Sequence, residues 1–464
     1  MEVIMISFDC AQLVEAVKGQ LLWGAGEQVF VGVTTDSRKV AKDNLFIPLV
    51  GEKFDGHDYI EQCFRTGAAV CLTEKPIPQM FNATAILVND TAKALRDIAT
   101  WHRNGYNIPV VGITGSVGKT STKDLIACVL AKQYEVLKTQ GNFNNEIGLP
   151  LTLLNLNSTH EIAVIEMGMS GFGEISRLTT IAQPQIAVIT NIGVSHIEKL
   201  GSQQGILKAK LEILEGLKPG GLVVLNGDDP LLRELKGKLN FNTVYYGMDT
   251  ELDYVAQNYE SLGETGTRFN IKLGNQTYKV AIPVPGVHNV YNALAAIAVG
   301  IEMNIPMNVI IDGIAQYSPG NMRQNIISYN GMKLINDAYN ASPQSMQAAI
   351  NVLEELCSKT RGIAVLGDML EMGEMAKELH YSVGCFIKDK KIDYLITVGK
   401  DSMNIMQAVA DSGNQKIKLQ HFDNNNEALK YILSFIRQGD YILIKGSRGM
   451  KMEQISDGIM KSEI

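Results

Sequence analysis

An α/β protein of three successive domains is the architecture this sequence predicts, and three observations predict it. The chain of 464 residues exceeds what one hydrophobic core organises. Short apolar runs alternate with amphipathic helical stretches, the pattern of mostly parallel sheets covered by helices. One strand-to-helix turn, Gly112-Ile113-Thr114-Gly115-Ser116-Val117-Gly118-Lys119-Thr120-Ser121, is rich in glycine and ends in Lys-Thr just as a helical pattern begins.

The first domain, residues 1–88, is expected to hold strands at Gly32–Thr35, Leu45–Leu49, Ala69–Thr73 and Ala85–Val88, with a helix near Tyr59–Thr66. Pro76 and Pro78 punctuate it, and Asn89-Asp90 offers a cap for a helix from Thr91 to Arg103. The second domain, residues 89–316, repeats strand and helix: Val110–Thr114, Val136–Thr139, Ile162–Glu166, Ile186–Asn191 and Leu222–Asn226. Between Leu252 and Val284 strands follow one another without helices, which reads as an antiparallel appendage. A helix from Asn289 to about Ile301 and another after Pro306 close this block. The third domain, residues 317–464, opens at Tyr317-Ser318-Pro319-Gly320 and carries strands at Lys333–Asn336, Gly362–Leu366, Tyr394–Val398 and Tyr441–Ile444.

Composition narrows the function. Forty-five per cent hydrophobic and 20% charged residues describe a folded globular chain. A formal charge of −7 argues against a broad basic face, and so against nucleic acid or an anionic membrane as the main partner. The most apolar helical stretch, Ala293 to Ile301, is too short to span a bilayer. Glu2 and Asp9 stand where a signal peptide carries basic residues, so a cytoplasmic chain without a leader is expected. The six cysteines (Cys10, Cys63, Cys71, Cys128, Cys357 and Cys385) form no C-x-x-C pair and read as small buried hydrophobes.

The glycine-rich turn carries the first chemistry. Glycines let the backbone curl so that its N–H groups face phosphate oxygens, and the helix N-terminus adds its positive end. Lys119 is placed to reach terminal phosphates and the Thr120 hydroxyl to sit on Mg²⁺. The strict form of such a loop has glycine five residues before Gly118, where this chain has Ile113, so Gly115 supplies the turn instead. Glu166 ends an apolar strand, the position from which a carboxylate reaches a metal at the carboxyl edge of a parallel sheet. A lone histidine after a strand is usually structural. His196, however, follows a neighbouring strand of the same sheet, which favours a ligand role beside Glu166.

Two lysines separate by helical geometry. On a helix drawn from Gly205 to Lys218, Ile206, Ile213, Leu214 and Leu217 share one face with Lys210 in its middle. Lys208, Glu212 and Glu215 lie on the opposite face, which makes Lys208 the solvated lysine. A lysine that faces the fold is paired, snorkelling or chemically altered. Desolvation favours its neutral amine, which adds CO₂ to become a carbamate, an anionic metal ligand made from a base.

These residues, and several longer motifs, resemble the Mur ligases, the ATP-dependent amide-forming enzymes of peptidoglycan precursor synthesis. The likeness runs essentially end to end. Thr35-Asp36-Ser37-Arg38, Phe46-Ile47-Pro48-Leu49-Val50-Gly51 and Asp55-Gly56-His57-Asp58 resemble the family's UDP-sugar elements. Thr139-Gln140-Gly141-Asn142-Phe143-Asn144-Asn145-Glu146-Ile147-Gly148 resembles a substrate-contacting segment, and Pro285-Gly286-Val287-His288-Asn289-Val290-Tyr291-Asn292 the ATP-side helix. Asn336-Asp337-Ala338-Tyr339-Asn340-Ala341-Ser342-Pro343, Leu366-Gly367-Asp368-Met369-Leu370-Glu371-Met372-Gly373 and Lys445-Gly446-Ser447-Arg448 favour the branch that adds D-alanyl-D-alanine.

The resemblance implies a UDP-substrate-binding N-terminal domain, a central P-loop ATPase-like domain and a Rossmann-like C-terminal domain, with the chain acting as a monomer. It implies that UDP-N-acetylmuramoyl-tripeptide and D-alanyl-D-alanine are the substrates, and that ATP and Mg²⁺ are required. ATP would contact Gly115, Ser116, Val117, Gly118, Lys119, Thr120, Ser121, Asn289, Asn292, Arg323, Asp337 and Tyr339. Ser37, Arg38, Gly56, His57, Asn142 and Asn145 would contact the nucleotide-peptide. Lys119, Glu166, His196, Lys210 and Arg323 would be catalytic, and Thr120, Glu166, His196 and Lys210 would serve the metal. The glycine usually found just before the family's phosphate-contacting arginine is displaced here by Asn321-Met322. Two alternatives stand beside this reading: a sibling ligase that adds a single amino acid, and a nucleotide-binding regulatory protein without ligase chemistry.

Overall fold

The computed structural model describes residues 7–462; Glu2, part of the argument against a leader, lies outside them. Three large sheets succeed one another along the chain, with a two-stranded pair at the start. The first sheet orders its strands Gln20–Trp23, Thr84–Leu87, Val70–Thr73, Leu45–Phe46 and Val33–Thr34, all parallel except the first pairing. The strands Ser7–Asp9, Gln20–Trp23 and Val29–Val31 and the helix Cys10–Val17 were not expected. The helix had a readable signal. Asp9 accepts from Gln12 N–H at 2.8 Å while the Gln12 side chain returns to Asp9 N–H, a reciprocal cap at its start.

The helix Thr91–Asn104 is capped by Asp90, which accepts from Lys93 N–H at 2.8 Å. It packs on the helix Cys10–Val17 and on the helices Gly148–Leu153 and Glu174–Ala182, so one apolar cluster runs from the first block into the central one. Its Arg103 is 2% exposed and donates to three backbone carbonyls, those of Ala182 (3.1 Å), Tyr106 (2.5 Å) and Ile108 (3.0 Å). The Ala182 carbonyl closes a helix, so the cation also meets the negative end of that helix's dipole.

The central sheet has nine strands. Val136–Lys138, Ile162–Glu166, Val110–Thr114, Ile186–Ile189, Leu222–Asn226 and Asn242–Gly247 run parallel, with helices on both faces. Tyr254–Ser261, Thr267–Leu273 and Gln276–Ile282 are not an appendage: the first pairs in parallel with Asn242–Gly247, and the hairpin extends the same sheet. The reason is packing. Tyr254, Ala256, Phe269, Ile271, Val280 and Ile282 alternate on one buried face and share a core with the helix Val287–Glu302.

The third sheet orders Asn325–Tyr329, Met332–Asp337, Tyr441–Lys445, Gly362–Gly367, Tyr394–Val398 and Lys418–Phe422, antiparallel at the first pair and parallel elsewhere. Its two edge strands, Asn325–Tyr329 and Lys418–Phe422, are half-exposed and lack the continuous apolar run that marks the interior ones. Among the described residues no helix is long and apolar enough to cross a membrane. Of the six free cysteines four are buried, while Cys128 and Cys385 are partly exposed.

Arg103→Met keeps the apolar stem and removes every donor, leaving three carbonyls at the junction without their partner. A loss of about 2–4 kcal/mol is expected, read as a lower urea midpoint with an unchanged slope.

Candidate functional site

The glycine-rich turn folds as a loop between the strand Val110–Thr114 and the helix Lys119–Leu130. Gly115 (φ 150°) and Gly118 (φ 83°) take backbone conformations that side chains resist, and a Cβ on Gly115 would lie 1.9 Å from Thr190 Oγ1. The end of the neighbouring strand Ile186–Ile189 clasps the loop. Val117 C=O accepts from Thr190 Oγ1 (2.7 Å) and Asn191 Nδ2 (2.9 Å), Val117 N–H donates to Asn191 Oδ1 (2.9 Å), and Gly193 N–H donates to Ser116 Oγ (2.8 Å). No side chain caps the helix at Gly118, so its first N–H groups face the cavity as an anion seat. Lys119 Nζ curls back onto Gly115 C=O at 2.7 Å. Burial holds its pKa below the ordinary lysine value; Glu166 opposes that shift and Arg323 adds to it.

Glu166 ends its strand 2% exposed. Its Oε1 accepts from Asn144 Nδ2 at 2.8 Å, while Oε2 is buried with no partner. A buried carboxylate oxygen without a donor is costly alone and suits a cation. His196 takes a left-handed backbone (φ 62°), and its Nδ1 lies 2.5 Å from Glu371 Oε2 of the third block, off the angle of a good hydrogen bond. Its pKa is lowered, first by burial and then by Lys119 and Lys210, against the pull of Glu371.

Lys210 is buried at 3% exposure on the helix Gln203–Leu211, whereas Lys208 is exposed. The helix starts earlier than expected and tightens into a 3₁₀ turn over Glu212–Gly216. Glu212 is not a solvated residue: it accepts from Gly173 N–H (2.7 Å) and Ser176 N–H (3.1 Å), closing the start of the helix Glu174–Ala182. The side-chain amine of Lys210 has no hydrogen bond or ion pair among the described residues. Burial, reinforced by Lys119, drives its pKa well below the ordinary lysine value. Its amine is therefore biased towards the neutral form.

The third block faces this cluster. Arg323 lays its guanidinium 3.9 Å above the centre of the Tyr339 ring, with no acidic partner. Asp337 accepts from Lys445 Nζ at 2.6 Å and from Gln324 N–H at 3.1 Å. On the central helix Val287–Glu302, Asn289 Nδ2 donates to Pro285 C=O (2.8 Å), Asn292 Nδ2 to Asn289 Oδ1 (3.1 Å), and Thr122 Oγ1 to Asn292 Oδ1 (3.1 Å). A cavity of about 520 Å³ lies between the blocks, lined by residues 116–121, Asn142, Asn145, Glu166, His196, Asn289, Asn292, Arg323, Asp337 and Tyr339. Gly115 and Lys210 are not in its lining.

Comparison with known proteins adds to this geometry. Residues 29–103 match the Mur ligase family, catalytic domain; residues 113–300 the Mur ligase middle domain; and residues 322–448 the Mur ligase, glutamate ligase domain. UDP-N-acetylmuramoyl-tripeptide–D-alanyl-D-alanine ligase of Bacillus subtilis (strain 168) is 43% identical over 99% of this chain and 100% of its own length. The chain belongs to the Mur ligase family. The ligase of the same name from Escherichia coli (strain K12) is 33% identical over 97% of this chain and 98% of its own. A crystal structure of MurF from Acinetobacter baumannii covers 99% of this chain and 100% of its own, with 29% identity and TM-score 0.91. MurF ligase from Thermotoga maritima in complex with ADP covers 92% and 97%, with 29% identity and TM-score 0.83.

This Mur ligase keeps the first block's expected residues away from the central cavity. Ser37, Arg38, Gly56 and His57 do not line it. Arg38 is exposed and grips Asp36 through both Nε and Nη2, at 2.9 Å each. Both nitrogens of His57 are engaged internally, Nδ1 with Asp55 (2.6 Å) and Nε2 as acceptor from Glu74 N–H (3.1 Å), so its ring has no nitrogen free for a substrate. Gly56 lies against Leu49, where a Cβ would sit 2.7 Å from the backbone nitrogen. Conversely, Asn144, His288, Gln324 and Lys445 line the cavity without having been singled out. Lys445 had a signal, a charge ending an apolar strand as Glu166 does. Asn144 had none beyond its neighbours.

Gly115→Ala is expected to drive a Cβ into Thr190 and open the clasp. A cost of about 3 kcal/mol or more and loss of nucleotide binding should show together in a melting curve with and without ADP.

Proposed function

We propose that this Mur ligase joins D-alanyl-D-alanine to UDP-N-acetylmuramoyl-tripeptide at the expense of ATP. The observation that carries the reading is the convergence on one cavity of the Lys119 loop, the partnerless Glu166 oxygen, and Arg323 and Asp337 from the third block. The name shared by relatives across the whole chain supports the substrates, and the ADP complex of the Thermotoga maritima ligase supports the nucleotide.

A carboxylate resists attack by an amine until one oxygen is made a leaving group. The peptide carboxylate takes the terminal phosphoryl group of ATP to give an acyl phosphate and ADP. The dipeptide amine then attacks the acyl carbon, and phosphate leaves as the amide forms. Lys119 and the helix N-terminus oppose the charge of the phosphates, and Arg323 does so from the other side. Asp337 and Tyr339 hold the nucleotide, with Asn289 and Asn292 at its base. Asn142 and Asn145 face the peptide. Ser37, Arg38 and Gly56, with the fold around His57, serve the UDP-sugar end.

The residues fit Mg²⁺. Glu166 offers its free oxygen, with Thr120 and His196 nearby. Among the described residues no three His, Cys, Asp or Glu side chains form a ready cage, as suits an ion that takes most of its oxygens from phosphates and water. Bound Mg²⁺ supplies charge neutralisation to the phosphoryl oxygens. Lys210, whose amine burial biases towards the neutral form, would add CO₂ with loss of a proton and so supply an anionic ligand beside His196. In this reading residues 1–88 bind the UDP-sugar, 89–316 bind ATP, and 317–464 close the site against water. The enzyme works as a cytoplasmic monomer.

ADP release should require both the tripeptide substrate and D-alanyl-D-alanine, and Lys119→Ala should abolish it. Product formed with a single free amino acid but not with the dipeptide would overturn the assignment. Lys210→Ala is expected to lose nearly all activity and to recover part of it in formate or acetate, whereas Lys208→Ala stays close to wild type. No rescue, together with a bare amine in high-resolution density of the active enzyme, would remove the carbamate.

A further inference from the structure

The three residues Met322-Arg323-Gln324 have an unusual backbone. Met322 (φ 55°) and Gln324 (φ 54°) are both left-handed, flanking the arginine that faces the phosphate loop. Neither has the short polar side chain that eases this conformation, so both residues are strained. Surrounding bonds hold it in place. Tyr339 N–H donates to Met322 C=O (3.2 Å), Arg323 N–H to Gly320 C=O (3.2 Å), and Gln324 N–H to Asp337 Oδ1 (3.1 Å).

The side chain of Gln324 provides the link to the central block. Its Oε1 is 2.8 Å from His288 Nε2 and 3.1 Å from Asn289 Nδ2, both on the helix Val287–Glu302. The polarity of this network follows from one fixed group. Pro285 C=O can only accept, so the Asn289 atom beside it is the amide nitrogen. The Gln324 atom beside that nitrogen must then be oxygen, and His288 must donate through Nε2–H. His288 Nδ1 is left buried without a partner. One amide oxygen thus ties two donors of the nucleotide-side helix to the segment that carries Arg323.

We propose that Gln324 is a positioning residue: it anchors the strained segment to the His288–Asn289 turn and thereby aims Arg323 at the terminal phosphate. The proposal rests on the nucleotide reading given above. Without the anchor the segment relaxes towards ordinary backbone geometry and the guanidinium leaves the neighbourhood of Lys119. Asn289 loses one acceptor but keeps its bonds to Pro285 C=O and Asn292, so the base side stays in place.

The test compares ADP with a non-hydrolysable ATP analogue carrying a γ-phosphate, by calorimetry on the full-length protein. Gln324→Leu should weaken the analogue by roughly tenfold and leave ADP within about twofold, with kcat falling at least as far as analogue affinity. His288→Phe, which removes the donor from the opposite block, should give the same split. In an Arg323→Ala background, Gln324→Leu should weaken the analogue no further than about twofold, since the two act through one contact. Losses that multiply in the double variant, or ADP affinity falling in step with the analogue, overturn the proposal. Failure of the ligase reading would show separately, as wild-type protein that binds nucleotide but releases no ADP with the two substrates.

Discussion

The structure is organised around positive charge that the protein does not neutralise itself. Lys119 and Arg323 line one cavity, and neither has a carboxylate ion pair among the described residues. Burying an unpaired cation costs several kcal/mol, and most folds avoid it by pairing. Here the loop carbonyl of Gly115 and the Tyr339 ring take the place of acids. Each of these holds a cation weakly enough to release it to a stronger anion. That constraint explains why the surrounding scaffold is so firmly tied, from the clasp of Asn191 on the loop to the burial of Glu166 at a strand end.

Three basic side chains near the cavity are held by three different devices. Lys119 sits on the first turn of a helix whose N-terminus is open. Lys210 sits in the last turn of a helix whose apolar face carries it inward. Arg323 sits on a turn with left-handed residues on both sides. The first two belong to the central block and the third to the opposing one, so the lining of the cavity is complete only with the blocks together. Other contacts cross the same boundary. Glu264 of the central hairpin accepts from Lys333 Nζ at 2.6 Å and also from Tyr441 Oη, and Glu355 accepts from Tyr259 Oη at 3.1 Å.

What could be read from the sequence was whatever period and spacing express. The strand, glycine loop and helix around Lys119 were legible because strand and helix periods meet there at residues with one main use. Lys210 was legible because helical period places it among Ile206, Ile213 and Leu217, a chemically awkward address for an ammonium. Edge strands such as Lys418–Phe422 were not, because half-exposed positions relax the apolar pattern. The hairpin from Tyr254 was recognised as strands but not as part of the central sheet, since pairing across Asn242–Gly247 is set by tertiary packing. The bonds of Glu212 and His57 were not legible either: neither charge pattern nor motif likeness says that one closes the start of a helix or that both ring nitrogens of the other are held within the first block.

Backbone strain was invisible in the sequence, and it points to the same boundary. Among the described residues twelve non-glycine residues have positive φ, and four of them are His196, Met322, Gln324 and Glu371. These four lie where the central and third blocks meet: His196 and Glu371 touch across it, and Gln324 bonds across it. A left-handed methionine, glutamine or glutamate is uncommon enough that local preference does not explain the clustering. Such conformations persist when the surroundings over-determine them, and here part of the determining contact comes from the opposite block. Separation of the blocks therefore removes the support of His196 and Arg323 together. The contacts that shape the cavity from its two sides are thus made together rather than as two independent adjustments.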